Sequence, residues 1–124
     1  MVTNTTIYVV DDDDVVRDAI RTLLESEDYD VIAFATCTDF LGHRHWRGRA
    51  CLVLDVHMPG MTGLDLLDLM RREAMTMPVI LITGGPSPAI QRVADSTGVI
   101  LLVKPFDADV LVASIKQALG GRLH

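Results

Sequence analysis

The sequence predicts a three-layer α/β domain, a doubly wound five-stranded parallel sheet with helices on both faces. Three observations predict it. Five short apolar runs recur along 124 residues: Ile7 to Val10, Val31 to Ala35, Ala50 to Leu54, Val79 to Ile82 and Val99 to Val103. Most lack polar alternation, as strands buried on both faces do. Stretches with helical spacing separate them, and such alternation means parallel strands joined by right-handed crossovers. The length suits one domain, residues 1–124, with a core that needs no metal or disulfide staple.

Each helix has its own signals. The first places Val16, Ile20, Leu23 and Leu24 on one face, with Asp14, Arg17, Asp18, Arg21 and Glu25 elsewhere. Asp13 and Asp14 stand where carboxylates cap free amides and suit the helix dipole. The second helix is expected over about Thr38 to His45, with Thr38 as its start. The third, Gly63 to Glu73, presents Leu64, Leu67, Met70 and Ala74, and Asp65 and Asp68 read as a solvated face. The fourth runs from about Pro88 to Ser96, opened by Ser87 and stopped by Gly98. The last, Ala108 to Leu119, presents Leu111, Ile115, Ala118 and Leu119, places Lys116 on the surface, and meets its stop at Gly120-Gly121.

Composition excludes several classes. The chain is 49 % hydrophobic with six aromatics, so its core is aliphatic and it is not intrinsically disordered. No apolar stretch approaches the ~20 residues of a membrane span. Met1 to Thr6 has no basic or long apolar segment, so no signal peptide is read and a cytoplasmic location is expected. Cys37 and Cys51 have no CxxC spacing and read as buried free thiols. A net charge of −6 makes direct nucleic-acid binding by this domain unexpected. Fourteen Asp against three Glu, and only two Lys, is the uneven feature. Asp belongs in caps, turns and ion sites more than on helix surfaces.

In a doubly wound sheet the binding crevice lies outside the carboxyl ends of the strands. The first polar residues after the apolar runs are Asp11 and Asp12, Asp55, Thr83 and Lys104, so the fold gathers all five at one edge. Three carboxylates there cannot all ionise without a cation, and oxygen-only ligands favour a hard divalent ion such as Mg²⁺. An ammonium and a hydroxyl beside them form an anion-recognition pair suited to a phosphoryl group. Asp55 is the natural nucleophile, since carboxylates form aspartyl-phosphate intermediates.

Val9-Val10-Asp11-Asp12-Asp13, then Leu54-Asp55-Val56-His57-Met58-Pro59-Gly60-Met61-Thr62-Gly63, then Ile82-Thr83-Gly84, then Lys104-Pro105-Phe106, resemble the receiver domain of bacterial two-component response regulators. The flavour is that of the FixJ type. The resemblance covers essentially the whole chain and implies a flavodoxin-like sheet of order 2-1-3-4-5. It implies phosphorylation of Asp55 by a sensor histidine kinase or histidine-phosphotransfer protein. Asp12 and Asp55 would ligate Mg²⁺ (or Mn²⁺), Asp11 would assist, and the His57 backbone carbonyl would complete the protein ligands. Thr83 and Lys104 would each take a phosphoryl oxygen, with Pro105 in cis aiming the lysine. The His57 side chain would influence how long phospho-Asp55 survives. Such a module is no enzyme beyond its own phosphorylation and dephosphorylation, and acts on a downstream effector or an output domain; homodimerisation stays open.

The chain also departs from the family. Leu101 stands where many receivers carry Tyr or Phe as a rotamer switch, and Pro86-Ser87-Pro88 opens the fourth helix. Activation is therefore expected to move the Gly84-to-Pro88 loop and fourth helix more than the fifth strand. An alternative is a haloacid-dehalogenase-like phosphatase using Asp11 and Asp13, although no cap insertion or late acidic pair accompanies them. A receiver used only for docking is a third reading. If the chain continues, a DNA-binding output domain after Gly120-Gly121 is typical of FixJ-type relatives; otherwise the receiver stands alone. The tract His43-Arg44-His45-Trp46-Arg47-Gly48-Arg49 reads as an exposed loop offsetting acidic surface, with Trp46 packed on the second helix.

Overall fold

Parallel strands buried on both faces need an apolar side chain at nearly every position, and the five runs supply it. A computed structural model describes residues 5–43, 48–85 and 87–120. The strands are β1 (Thr5–Val10), β2 (Asp30–Phe34), β3 (Arg49–Asp55), β4 (Val79–Thr83) and β5 (Ile100–Val103). Between and after them run α1 (Asp14–Ser26), α2 (Cys37–Gly42), α3 (Gly63–Arg72), α4 (Pro88–Thr97) and α5 (Ala108–Gly120). All pairings are parallel and the sheet order is β2-β1-β3-β4-β5. The chain steps outward from β1 to β2, then crosses back to β3 on the other side of β1. The topological switch point, where such sheets bind ligands, therefore lies between the carboxyl ends of β1 and β3.

Alternate residues of each strand feed two separate cores. Tyr8, Val10, Leu52, Leu54 and Leu81 meet Phe40, Leu66, Met70 and Ile90 of α2, α3 and α4. Ile7, Val9, Val53, Ile80 and Ile82 meet Ile20, Leu24, Leu111 and Ile115 of α1 and α5. Both cores are mainly aliphatic, as composition implied, but Tyr8, Phe34 and Phe40 pack ring against ring in the first of them. Cys37 and Cys51 are buried free thiols, and burial pushes them up to about 11 and about 12, so neither is a thiolate at neutral pH.

Several boundaries differ from expectation. α2 starts at Cys37 and ends at Gly42, because Thr36 rather than Thr38 accepts the capping bond, from the Asp39 amide at 3.0 Å. β2 stops at Phe34, before Ala35, and β5 begins at Ile100, one residue after Val99. α5 runs on through Gly120. In α3 the buried set includes Leu66, whereas Ala74 is exposed beyond the helix at φ 56°. Asp65 is more than a solvated residue: it closes a capping box with Thr62. Ser87 caps α4 and Gly98, at φ 75°, ends it in the left-handed conformation, as read from the sequence. Arg44 to Arg47, including Trp46, together with Pro86 and Gly121, lie outside the described residues.

Candidate functional site

The five residues read from the strand ends stand at one edge of the sheet, and four of their side chains, those of Asp11, Asp12, Asp55 and Lys104, converge there. Asp11 follows β1 and is almost fully buried, Asp55 closes β3 at 4 % exposure, and Thr83 closes β4 with none. Asp12 is exposed. One carboxylate oxygen from each of Asp11, Asp12 and Asp55 lies within 4.8 Å of the others. Lys104, after β5, reaches across to both buried acids, its Nζ 3.4 Å from Asp11 Oδ2 and 3.6 Å from Asp55 Oδ2. The Lys104–Pro105 peptide bond is cis, as expected.

Charge within the site is unevenly compensated. Burial raises the Asp55 pKa, and the neighbouring Asp11 carboxylate raises it further. The His57 amide, donating to Asp55 Oδ1 at 3.1 Å, and the Lys104 ammonium act against this and keep the anion accessible. Two acids sharing one ammonium leave net negative charge at the edge. Three converging carboxylates, two of them buried, are a donor set that suits a hard, oxygen-seeking divalent cation. The resemblance to receiver domains implies a Mg²⁺ site at such a triad.

The loops around the acids are held by bonds that periodicity does not reveal. The Asp11 carboxylate accepts the Asp13 amide at 2.9 Å. Asp13 itself turns away to cap α1, accepting the Val15 and Val16 amides, so Asp11 and Asp13 do not form the carboxylate pair of the phosphatase reading. Arg17, placed by its spacing among the polar positions of α1, donates from Nη1 to the Asp11 carbonyl at 2.8 Å and pairs with Asp14 through Nη2. Its position three residues after Asp14 was the one available signal. His57 Nε2 lies 2.9 Å from Thr83 Oγ1, and the Gly85 amide donates to the same oxygen at 3.1 Å.

Fold and site together define a class: a doubly wound α/β domain with an acidic pocket and one ammonium at its switch point. The response regulator receiver domain family matches residues 7–116, and the chain belongs to that family. It is similar to the transcriptional regulatory protein FixJ of Bradyrhizobium diazoefficiens, 36 % identical over 96 % of this chain and 58 % of that one. The response regulator protein TodT of Pseudomonas putida is 33 % identical over 91 % of this chain and 50 % of its own. The solved structure of the response regulator StyR superposes with a TM-score of 0.86 at 36 % identity, covering 94 % of this chain and 59 % of that one. The chain thus spans about half the length of the curated relatives it matches. It is the receiver domain of a two-component response regulator, a phosphoacceptor signalling module and not a conventional enzyme, and receiver domains partner with histidine kinases. Among the described residues no helix is long and apolar enough to cross a membrane.

Proposed function

We propose that Asp55 is the phosphoacceptor, and that Asp11, Asp12 and Asp55, with the His57 backbone carbonyl, hold Mg²⁺ or Mn²⁺. The observation that carries this is the convergence of Lys104 on Asp11 and Asp55 at the switch point, beside the buried Thr83 hydroxyl. The donor is the phosphohistidine of a sensor histidine kinase or phosphotransfer protein. A carboxylate oxygen of Asp55 attacks phosphorus, the O–P bond forms as the N–P bond breaks, and the departing imidazole takes up a proton. Lys104 transfers its ammonium from the carboxylates to one phosphoryl oxygen, and the Thr83 hydroxyl donates to another. When bound, the cation supplies positive charge that offsets the carboxylates and the phosphoryl oxygens.

Residues 1–124 form a single receiver domain on this reading, working in the cytoplasm where its kinase presents phosphohistidine. Its output passes to an effector protein or to a domain beyond this span, as in relatives whose names describe transcriptional regulators. The test is intact-mass analysis after incubation with Mg²⁺ and acetyl phosphate. A phosphate-sized gain that disappears in Asp55→Asn is expected; a gain that persists in that variant overturns the assignment.

A further inference from the structure

We propose that His57 is a positioning residue that latches Thr83 in its resting orientation, and that phosphorylation of Asp55 trades this latch for a bond to the phosphoryl group. The inference rests on the reading of Asp55 as phosphoacceptor. Thr83 is fully buried, and its hydroxyl has one proton to give and two lone pairs to fill. The Gly85 amide occupies a lone pair at 3.1 Å. A buried hydroxyl proton needs an acceptor, and among the described residues His57 Nε2, at 2.9 Å, is the one in reach. The imidazole accepts this bond in the tautomer whose proton stands on Nδ1.

One proton cannot serve two acceptors. The bond to His57 and the bond to a phosphoryl oxygen exclude each other, so the imidazole competes with the activated state. The competition also couples two loops, since His57 lies in the β3–α3 connection and Thr83 opens the β4–α4 connection. Leu101, where an aromatic switch would stand, is aliphatic and packs partly buried against the core, so it has no hydrogen bond to exchange. His57 is exposed and lines a groove of about 510 Å³ with Val56, Met58, Pro59, Leu64 and Ile90. Its release therefore reports the state of Thr83 on that surface.

The experiment titrates beryllofluoride, which mimics the phosphoryl group on aspartate, into the full chain with saturating Mg²⁺ at fixed pH. The imidazole ¹⁵N signals of His57 are expected to move as the adduct forms. His57→Leu should bind beryllofluoride about fivefold more tightly, the weight of one ordinary hydrogen bond. His57→Gln, whose Oε1 accepts the same bond, should return to the wild-type affinity. Equal or weaker binding by His57→Leu, or imidazole signals unmoved by the adduct, overturns the exchange. Wild type that takes no beryllofluoride overturns the Asp55 reading and the exchange with it. His57 signals that are unchanged in resting Thr83→Val overturn the latch alone.

Discussion

Gly63 lies directly against the backbone of Asp55. A methyl group on its Cα would overlap the Asp55 carbonyl oxygen and stand 2.8 Å from the Val56 Cα, and the Gly63 amide donates to the Val56 carbonyl at 3.1 Å. The first turn of α3 is thereby docked on the end of β3, with the Thr62–Asp65 capping box fixing where that turn begins. The glycine is required by the closeness of two backbones, neither of which is the movable end of a side chain.

Gly63→Ala must therefore push α3 away from Asp55 or bend the loop between them. Overpacking of this kind costs about 1–3 kcal/mol, and the displaced carboxylate should accept phosphate from acetyl phosphate more slowly. Gly42, with nothing within 4 Å of its would-be Cβ, is the control, and Gly42→Ala should unfold no earlier than wild type. Urea denaturation and the rate of mass gain check both parts. Wild-type behaviour of Gly63→Ala in each measurement would falsify the packing argument.

The site was legible because one physical rule located it. A strand buried on both faces excludes charge, so the first polar residue after each apolar run marks the sheet's carboxyl edge. Asp11, Asp12, Asp55, Thr83 and Lys104 all stand at that edge; the three carboxylates and Lys104 converge there, while the Thr83 hydroxyl bonds His57 and Gly85. Strand order does not follow from periodicity, since every buried strand reads alike; the motifs carried it. The start of α2 was misplaced because Thr36 and Thr38 are both good caps, and the choice is made by which register buries Cys37 and Phe40. Arg17 and His57 were invisible as partners of Asp11 and Thr83. The Arg17 bond runs from the first turn of α1 back to the end of β1, and the His57 contact crosses between two loops; both approaches exist only in the folded chain.

Arg17 holds the acidic loop from outside. Its Nη1 bond to the Asp11 carbonyl is charge-assisted and its side chain is mostly covered, whereas the paired Asp14 is 82 % exposed. Exposed pairs contribute about 0–1 kcal/mol, while a hydrogen bond from a charged group contributes about 1.5–3 kcal/mol. The carbonyl bond therefore dominates. Arg17→Leu should weaken Mg²⁺ binding about tenfold or more by calorimetry, and Arg17→Lys, which keeps the charge, should isolate the geometric part. Asp14→Ala should leave Mg²⁺ affinity within about threefold. Equal losses in Arg17→Leu and Asp14→Ala would assign the effect to the ion pair instead.

Asp55 carries a stability cost whose pH dependence has a definite sign. Burial and the Asp11 carboxylate raise its folded-state pKa above the ordinary 3.8. The folded protein then binds the Asp55 proton more tightly than the unfolded chain does, so stability falls as pH rises from the unfolded value through the raised one. Above that window the full cost of ionising a buried, repelled carboxylate is present. Asn has no such proton. In metal-free buffer, Asp55→Asn should melt higher than wild type at neutral pH, by about 4 °C for each kcal/mol of relief at this chain length. The gain should vanish below the unfolded value, where both side chains are neutral. Saturating Mg²⁺ should narrow the difference at neutral pH, because the ion stabilises the three-carboxylate protein more than the two-carboxylate variant. Scanning calorimetry across pH, with and without chelator, checks each part. Melting curves of wild type and Asp55→Asn that run parallel from acid to neutral pH would show that Asp55 costs the fold nothing.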